Sequence, residues 1–216
     1  MRRVLPLLVL AAALAGCGGS GNGATTTKAA APGPADTLRR LVAGDPQSMQ
    51  LLTPASRKRV AASELAEGVA AFADDVPVKA RQVGGGWAVA WAVGTHTAEG
   101  TTETMAYAVP LKRTGGRWLA EISPAIQVRP LGPDQGETVG ATPQVAAELK
   151  APEPIVDSSL LVDGAPLEIE SGGPSSNFIS MFGAPREPLA AGRHVAVAFA
   201  RAGTDAAARA WTFEVS

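Results

Sequence analysis

The sequence predicts an α+β domain with N-terminal helices and an antiparallel sheet, followed by a small all-β sandwich. Three observations carry that expectation. Short apolar-striped segments with helix-start residues lie between Asp36 and Ala73, four alternating segments follow between Val78 and Ser123, and from Glu153 onward the apolar runs have strand period. With 24 glycines and 17 prolines among 216 residues, the composition argues against long helical bundles.

The helical region opens at Asp36, a cap for a helix carrying Leu38, Leu41 and Val42 that ends near Gly44. Asp45-Pro46 restarts a segment leading to Met49, Leu51 and Leu52, with the proline at a first helical position. Thr53-Pro54 repeats the device before Ala55 to Ala62. Ser63 then caps Glu64 to Ala73, whose Leu65, Val69 and Phe72 fall on one face. Strands follow. Val78 to Val83 stops at Gly84-Gly85-Gly86; Trp87, Val89, Trp91 and Val93 alternate against Ala88, Ala90 and Ala92. After a polar loop from Gly94 to Gly100, Met105, Tyr107, Val109 and Leu111 share a face. Thr114-Gly115-Gly116 turns into a last strand, Arg117 to Ser123, with Trp118, Ala120 and Ile122 on one side and Glu121 opposite Trp118.

Over residues 35–128 this order resembles the nuclear transport factor 2-like superfamily. The resemblance is carried by LRRLVAGD at Leu38 to Asp45, by Gly86-Trp87-Ala88-Val89, and by LKRTGGRWLAEI at Leu111 to Ile122. It implies helices packed into the cone of a curved sheet. It implies no particular reaction, since a fold does not dictate chemistry.

Residues 129–152, interrupted by Pro130, Pro133, Pro143 and Pro152, read as a linker in which only Val145 to Leu149 has room for a helical turn. Residues 153–216 are purely β in texture. Ile155 to Val162 and Ala165 to Ile169 flank the hairpin signal Asp163-Gly164. Asn177 to Phe182, Arg193 to Ala200 and Arg209 to Val215 complete the set. LVDGAPLEI, LAAGRHVAVAFA and ARAWTFEV in this stretch resemble a small bacterial immunoglobulin-like module. Its 64 residues fall short of the roughly 100 usual for that sandwich, so either strands are missing or the linker supplies an edge strand.

The N-terminus gives an address. Arg2 and Arg3 precede an apolar run from Val4 to Ala13, too short for the roughly 20 residues of a membrane span but ordered like a secretory signal. Leu14-Ala15-Gly16-Cys17 then resembles the lipobox of bacterial lipoproteins. The resemblance implies removal of residues 1–16 and a diacylglyceryl thioether on Cys17, hence an extracytoplasmic, lipid-anchored protein at the cell membrane. Losing Arg2 and Arg3 moves the formal charge from −1 to −3, so attachment rests on lipid rather than on anionic headgroups. Residues 17–34, rich in glycine, serine and threonine, form a flexible tether.

Chemistry is sparse. One cysteine and two histidines exclude an internal disulfide and leave no zinc site of cysteine and histidine pairs. A charge of −1 gives no basic field for nucleic acid. No Gly-x-Ser-x-Gly elbow or phosphate-cradling Gly-Lys-Ser/Thr occurs. His96 near Glu99 and Glu103 reads as a rim loop, His194 as surface-facing or hydrogen-bonded, Asp74-Asp75 as a turn, and Arg57-Lys58-Arg59 as a solvated helix face. No catalytic residue, metal or cofactor is expected. Trp87, Trp91, Tyr107 and Trp118 either fill the core beneath the helices or line a ligand pocket in the cone. The functional expectation is a non-catalytic binding or scaffold lipoprotein with an envelope protein as partner. The alternative is a receptor for a small apolar or wall-derived ligand; an enzyme comes third.

Overall fold

The computed structural model describes residues 32–61, 76–98 and 101–216. Helix α1 spans Pro34–Val42 and starts at Gly33, not at Asp36. Asp36 instead sits at the third helical position, and its carboxylate accepts the Gly33 N–H at 2.7 Å. After α1, the Asp45 carboxylate accepts the Gln47 N–H at 2.7 Å, and the expected second helix shortens to a 3₁₀ turn at Ser48–Leu51. Helix α2, Pro54–Arg59, starts at Thr53, whose hydroxyl accepts the Ser56 N–H. The segment Glu64 to Ala73, with Leu65, Val69 and Phe72, lies outside the described residues.

Strands β1 (Val78–Gly84), β2 (Trp87–Ala98), β3 (Thr101–Thr114) and β4 (Arg117–Ala120) form an antiparallel meander in that order. Gly85-Gly86 and Gly115-Gly116 close two of its turns with positive φ at both positions, as tight hairpins require. The β2–β3 arm runs further than the alternation suggested, taking in most of the expected loop at 94–100.

The remaining chain is a two-sheet sandwich beginning at residue 127. The outer sheet is ordered β10 (Glu168–Ser175), β11 (Phe178–Ala184), β7 (Val145–Lys150), β5 (Gln127–Gly132). The inner sheet is ordered β6 (Thr138–Val139), β13 (Asp205–Val215), β12 (Gly192–Ala202), β8 (Ile155–Val162), β9 (Ala165–Pro166), with β6 parallel to β13 and the other pairs antiparallel. The presumed linker 129–152 therefore contributes three strands. Pro130 is tolerated because β5 is an edge strand bonded only to β7, and the register slips beside it. Val145, Ala147 and Leu149 are fully buried, so cross-strand packing overrides a locally helix-compatible run.

Layering overturns the α+β expectation for residues 35–128 and the nuclear transport factor 2-like arrangement with it. The chain is mostly strand, and α1 and α2, of nine and six residues, are the only α-helices among the described residues. The physical reason lies in which face meets which neighbour. Ala88, Ala90, Ala92, Val109 and Leu111 pack toward Leu38, Leu41 and Leu52 of the helical segment. Val89 and Trp91 face the opposite way, onto Leu161, Val197 and Ala210 of the inner sheet, and Trp87 does the same against Phe199. The meander is thus covered by helices on one side and by the sandwich on the other, and the described residues belong to one compact unit. Ala196, Ala198, Ala200, Trp211 and Phe213 fill the space between inner and outer sheets.

Small side chains set the spacing of meander and inner sheet. Ala106 and Ala108 of β3 meet Ala208 and Ala210 of β13, and Cα atoms of the two strands come within 8 Å, closer than the roughly 10 Å of ordinary stacked sheets. Enlarging this seam is expected to wedge the sheets apart: Ala210→Leu should cost about 1–3 kcal/mol in urea unfolding, whereas the exposed Arg209→Leu should stay within about 0.5 kcal/mol.

Candidate functional site

The four aromatics of the expected pocket do not converge. Trp87 is enclosed by Phe199, at 6.3 Å between ring centroids, and by the Lys112 ammonium 5.4 Å from its ring centre. Trp91 lies beneath the Asp163-Gly164 hairpin tip, where it borders an open notch of about 380 Å³ together with Lys79, Arg81, Asp163 and Gly164. Tyr107 and Trp118 are on the helix side of the meander, and burial pushes the Tyr107 phenol up. A shared cone is therefore absent among the described residues. Trp118 anchors α1 instead, its carbonyl accepting the Thr37 hydroxyl at 2.9 Å.

The strongest polar cluster was half visible in the sequence. Glu121, opposite Trp118 as its parity indicated, is buried at 3% exposure, and its Oε2 accepts the Thr53 hydroxyl at 2.6 Å. Its Oε1 accepts Arg59 Nη1 at 3.3 Å, while Arg59 Nη2 donates to Asp205 Oδ1 at 2.9 Å. The Ser123 hydroxyl donates to the same Asp205 carboxylate, and the Ser56 hydroxyl accepts the Ile122 N–H at 2.8 Å. Arg59, expected on a solvated face, thus joins α2, the end of the meander and the first residue of β13. Every carboxylate in this cluster is bonded to protein, which makes it a clasp. Arg59→Met leaves Glu121 buried without its cation and should cost about 2–3 kcal/mol in urea unfolding; adding Glu121→Leu should recover part of that loss.

His194 forms a second cluster at the hairpin tip. Asp163 has φ 51° and Gly164 φ 90°, and a Cβ on Gly164 would come within 3.0 Å of the Trp91 ring, so glycine serves both turn and contact. Asp163 Oδ1 accepts the Val195 N–H at 3.0 Å. His194 is buried, stacks on Phe213, and sets Nδ1 2.6 Å from Asp163 Oδ2 and Nε2 2.8 Å from the Ala190 carbonyl. Both ring nitrogens face acceptors, an arrangement only the doubly protonated imidazolium satisfies. Burial by itself draws its pKa down, but the Ala190 carbonyl, the Asp163 carboxylate and the charge of Glu214 outweigh that and hold it above the ordinary value. The sign follows. This bond network contributes fully below the unfolded histidine value near 6.5 and is lost as pH rises through the higher folded value. The stability gap between wild type and His194→Gln should therefore narrow between pH 6 and pH 9 in thermal melts (roughly the range a raised histidine spans).

Across the notch the Arg81 guanidinium donates to the Gly164 carbonyl at 2.9 Å, tying β1 to the hairpin tip. Further along, Gln135 donates from Nε2 to the Thr104 carbonyl at 3.2 Å and to the Thr212 hydroxyl at 2.7 Å, and it accepts the Thr212 N–H. His96 pairs in register with Glu103 on the β2–β3 arm. Cys17, Asp74-Asp75 and Glu99 lie outside the described residues. No group of three or more histidine, cysteine, aspartate and glutamate side chains that could hold a metal is found among the described residues. No helix among them is long and apolar enough to cross a membrane.

No family model matches the chain, and no curated protein matches it in sequence. Among solved structures, several give distant likenesses. An endo-β-1,4-mannanase from Thermotoga petrophila shares 13% identity at a TM-score of 0.35, over 42% of this chain and 20% of that one. The twitchin kinase region of C. elegans shares 14% at 0.30, over 42% of this chain and 16% of that one. Tandem immunoglobulin domains A164-A165 of titin share 9% at 0.30, over 64% of this chain and 96% of that one. The chain thus spans a fifth or less of the first two.

Proposed function

We propose that the protein is a bacterial lipoprotein, acylated on Cys17 and held outside the cell membrane on the tether 17–34, with a folded body that serves binding or scaffolding rather than catalysis. The observation that carries the reading is Leu14-Ala15-Gly16-Cys17 placed directly after a basic pair and a short apolar run. Two or more acyl chains give lasting attachment, which one chain does not. The sandwich order supports an immunoglobulin-like module: β5, β7, β11 and β10 stand where strands A, B, E and D do, and β8, β12 and β13 where C, F and G do. The reading without catalysis is supported by Glu121, Asp205 and His194, whose side-chain polar atoms are all taken up in bonds within the protein. The alternative of a small-ligand receptor loses its basis when Trp87, Trp91, Tyr107 and Trp118 separate onto two faces.

The test is detergent phase partitioning of the full chain expressed in a bacterium. Wild type is expected in the detergent phase with a thioether-linked diacylglyceryl group on Cys17 by mass spectrometry. Cys17→Ser is expected in the aqueous phase. An unmodified Cys17 in the wild-type protein would sink the reading.

A further inference from the structure

We propose that the outer edge of β3 between Thr104 and Ala108 is a docking site for an extended peptide of a partner protein, which adds to the meander as a short strand. The proposal rests on the binding-module reading and names the partner chemistry.

Backbone direction along β3 is set by three bonds. Arg113 N–H donates to the Gly86 carbonyl on the β2 side, whereas the Pro110 carbonyl accepts the Glu121 N–H and the Thr104 carbonyl accepts Gln135, both on the other side. In an antiparallel strand the N–H and C=O of one residue point the same way and alternate along the chain. Ala106 and Ala108 therefore aim their backbone groups outward with Thr104 and Pro110. There β4 pairs only with Leu111 to Thr114, leaving a gap in the ladder among the described residues. Gln135 already acts as the partner at Thr104, supplying an amide where a neighbouring strand's amide would sit.

A groove of about 310 Å³ borders the Thr104–Ala106 end of this gap, lined by residues that include Met105, Ala106, Pro130, Gln135 and Trp211. Its volume falls within the range of ligand sites. Trp211 is 2% exposed, and its indole N–H has no hydrogen-bond partner among the described residues, unlike most buried donors. Alternating outward donors and acceptors select an occupant with the same alternation, which is an extended peptide backbone. Glu103 and Asp134 against the single Arg209 favour a segment carrying a basic residue. A second copy of this chain fits less well. Gln135 on Thr104 closes one end of the gap and the Glu121 N–H on Pro110 closes the other, so the opening is too short for two long edges to pair.

The other edges among the described residues are blunted. β6 and β9 have two residues each, β5 carries Pro130, β10 carries Gly172-Gly173-Pro174, and β1 presents Lys79 and Arg81. Such devices discourage strand addition. Thr104 to Ala108, Thr-Met-Ala-Tyr-Ala, has neither charge nor proline.

The experiment pans a random dodecapeptide phage library against the full chain in detergent micelles. A recovered peptide is synthesised and two series of single backbone N-methylations are made along it. Peptide binding is expected to slow amide exchange at Ala106 and Ala108 by about tenfold or more, and methylation at alternate positions should weaken binding about tenfold while intervening positions stay neutral. The proposal is overturned if no peptide is recovered, if protection falls elsewhere, if the two methylation series do not differ, or if the edge is filled by a second copy of the chain. Running Cys17→Ser in parallel separates the questions, because loss of the anchor moves phase partitioning and leaves the β3 readout unchanged.

Discussion

A β-sheet buried on both faces must be apolar at nearly every position, and the inner sheet satisfies that demand in its central strand. Along β12, Ala196, Ala198, Ala200 and Ala202 turn toward the outer sheet while Val195, Val197 and Phe199 turn toward the meander. Three stacked sheets follow from this one strand. Because alanine fills the side toward the outer sheet, Trp211 and Phe213 of β13 have room there without lengthening the gap. Phe199 and Val197 on the other side accept Trp87 and Val89. The alanines of β3 and β13 complete the fit by letting backbones approach where larger residues would hold them apart.

Apolar burial is non-directional, so it explains adhesion of the layers better than their register. Register comes from polar contacts at three separated points. Arg81 reaches the Gly164 carbonyl, Gln135 spans Thr104 and Thr212, and Arg59 spans Glu121 and Asp205. Sliding the sandwich along the meander by one residue would break all three, separating Arg59 from Asp205 while leaving it on Glu121. The clasps therefore act mainly against wrong arrangements.

The parts legible in the sequence were those with local causes. Alternation sorted Trp87, Val89 and Trp91 from Ala88, Ala90 and Ala92 correctly, and glycine pairs marked the hairpin turns. What covers each face is not legible, because bulk alone does not name its neighbour: of the four aromatics expected beneath the helices, Tyr107 and Trp118 are there, whereas Trp87 and Trp91 face the sandwich. Residues 129–152 were misread because proline was weighed as a breaker, whereas an edge strand needs no ladder donor at that position. Glu121 was noticed through its parity. Arg59 was not, since its partners stand 62 and 146 positions away and nothing in a basic tripeptide points to them.

Long separations of that kind also bear on how the site regions persist. The meander, from Val78 to Ala120, closes by consecutive hairpins, whereas the inner sheet joins β8 to β12 and β6 to β13 across far longer loops. Local hairpins form before distant pairings can reward the loop entropy they require. Until the inner sheet assembles, the Trp87 and Trp91 face of the meander has no cover, and the Asp163 hairpin has no ring to rest against. The same contact that buries those tryptophans then positions Gly164 for Arg81 and brings β13 alongside β3. The groove along Ala106 thus exists only after the last apolar layer has closed, which makes it a property of the assembled unit and not of either half of the chain.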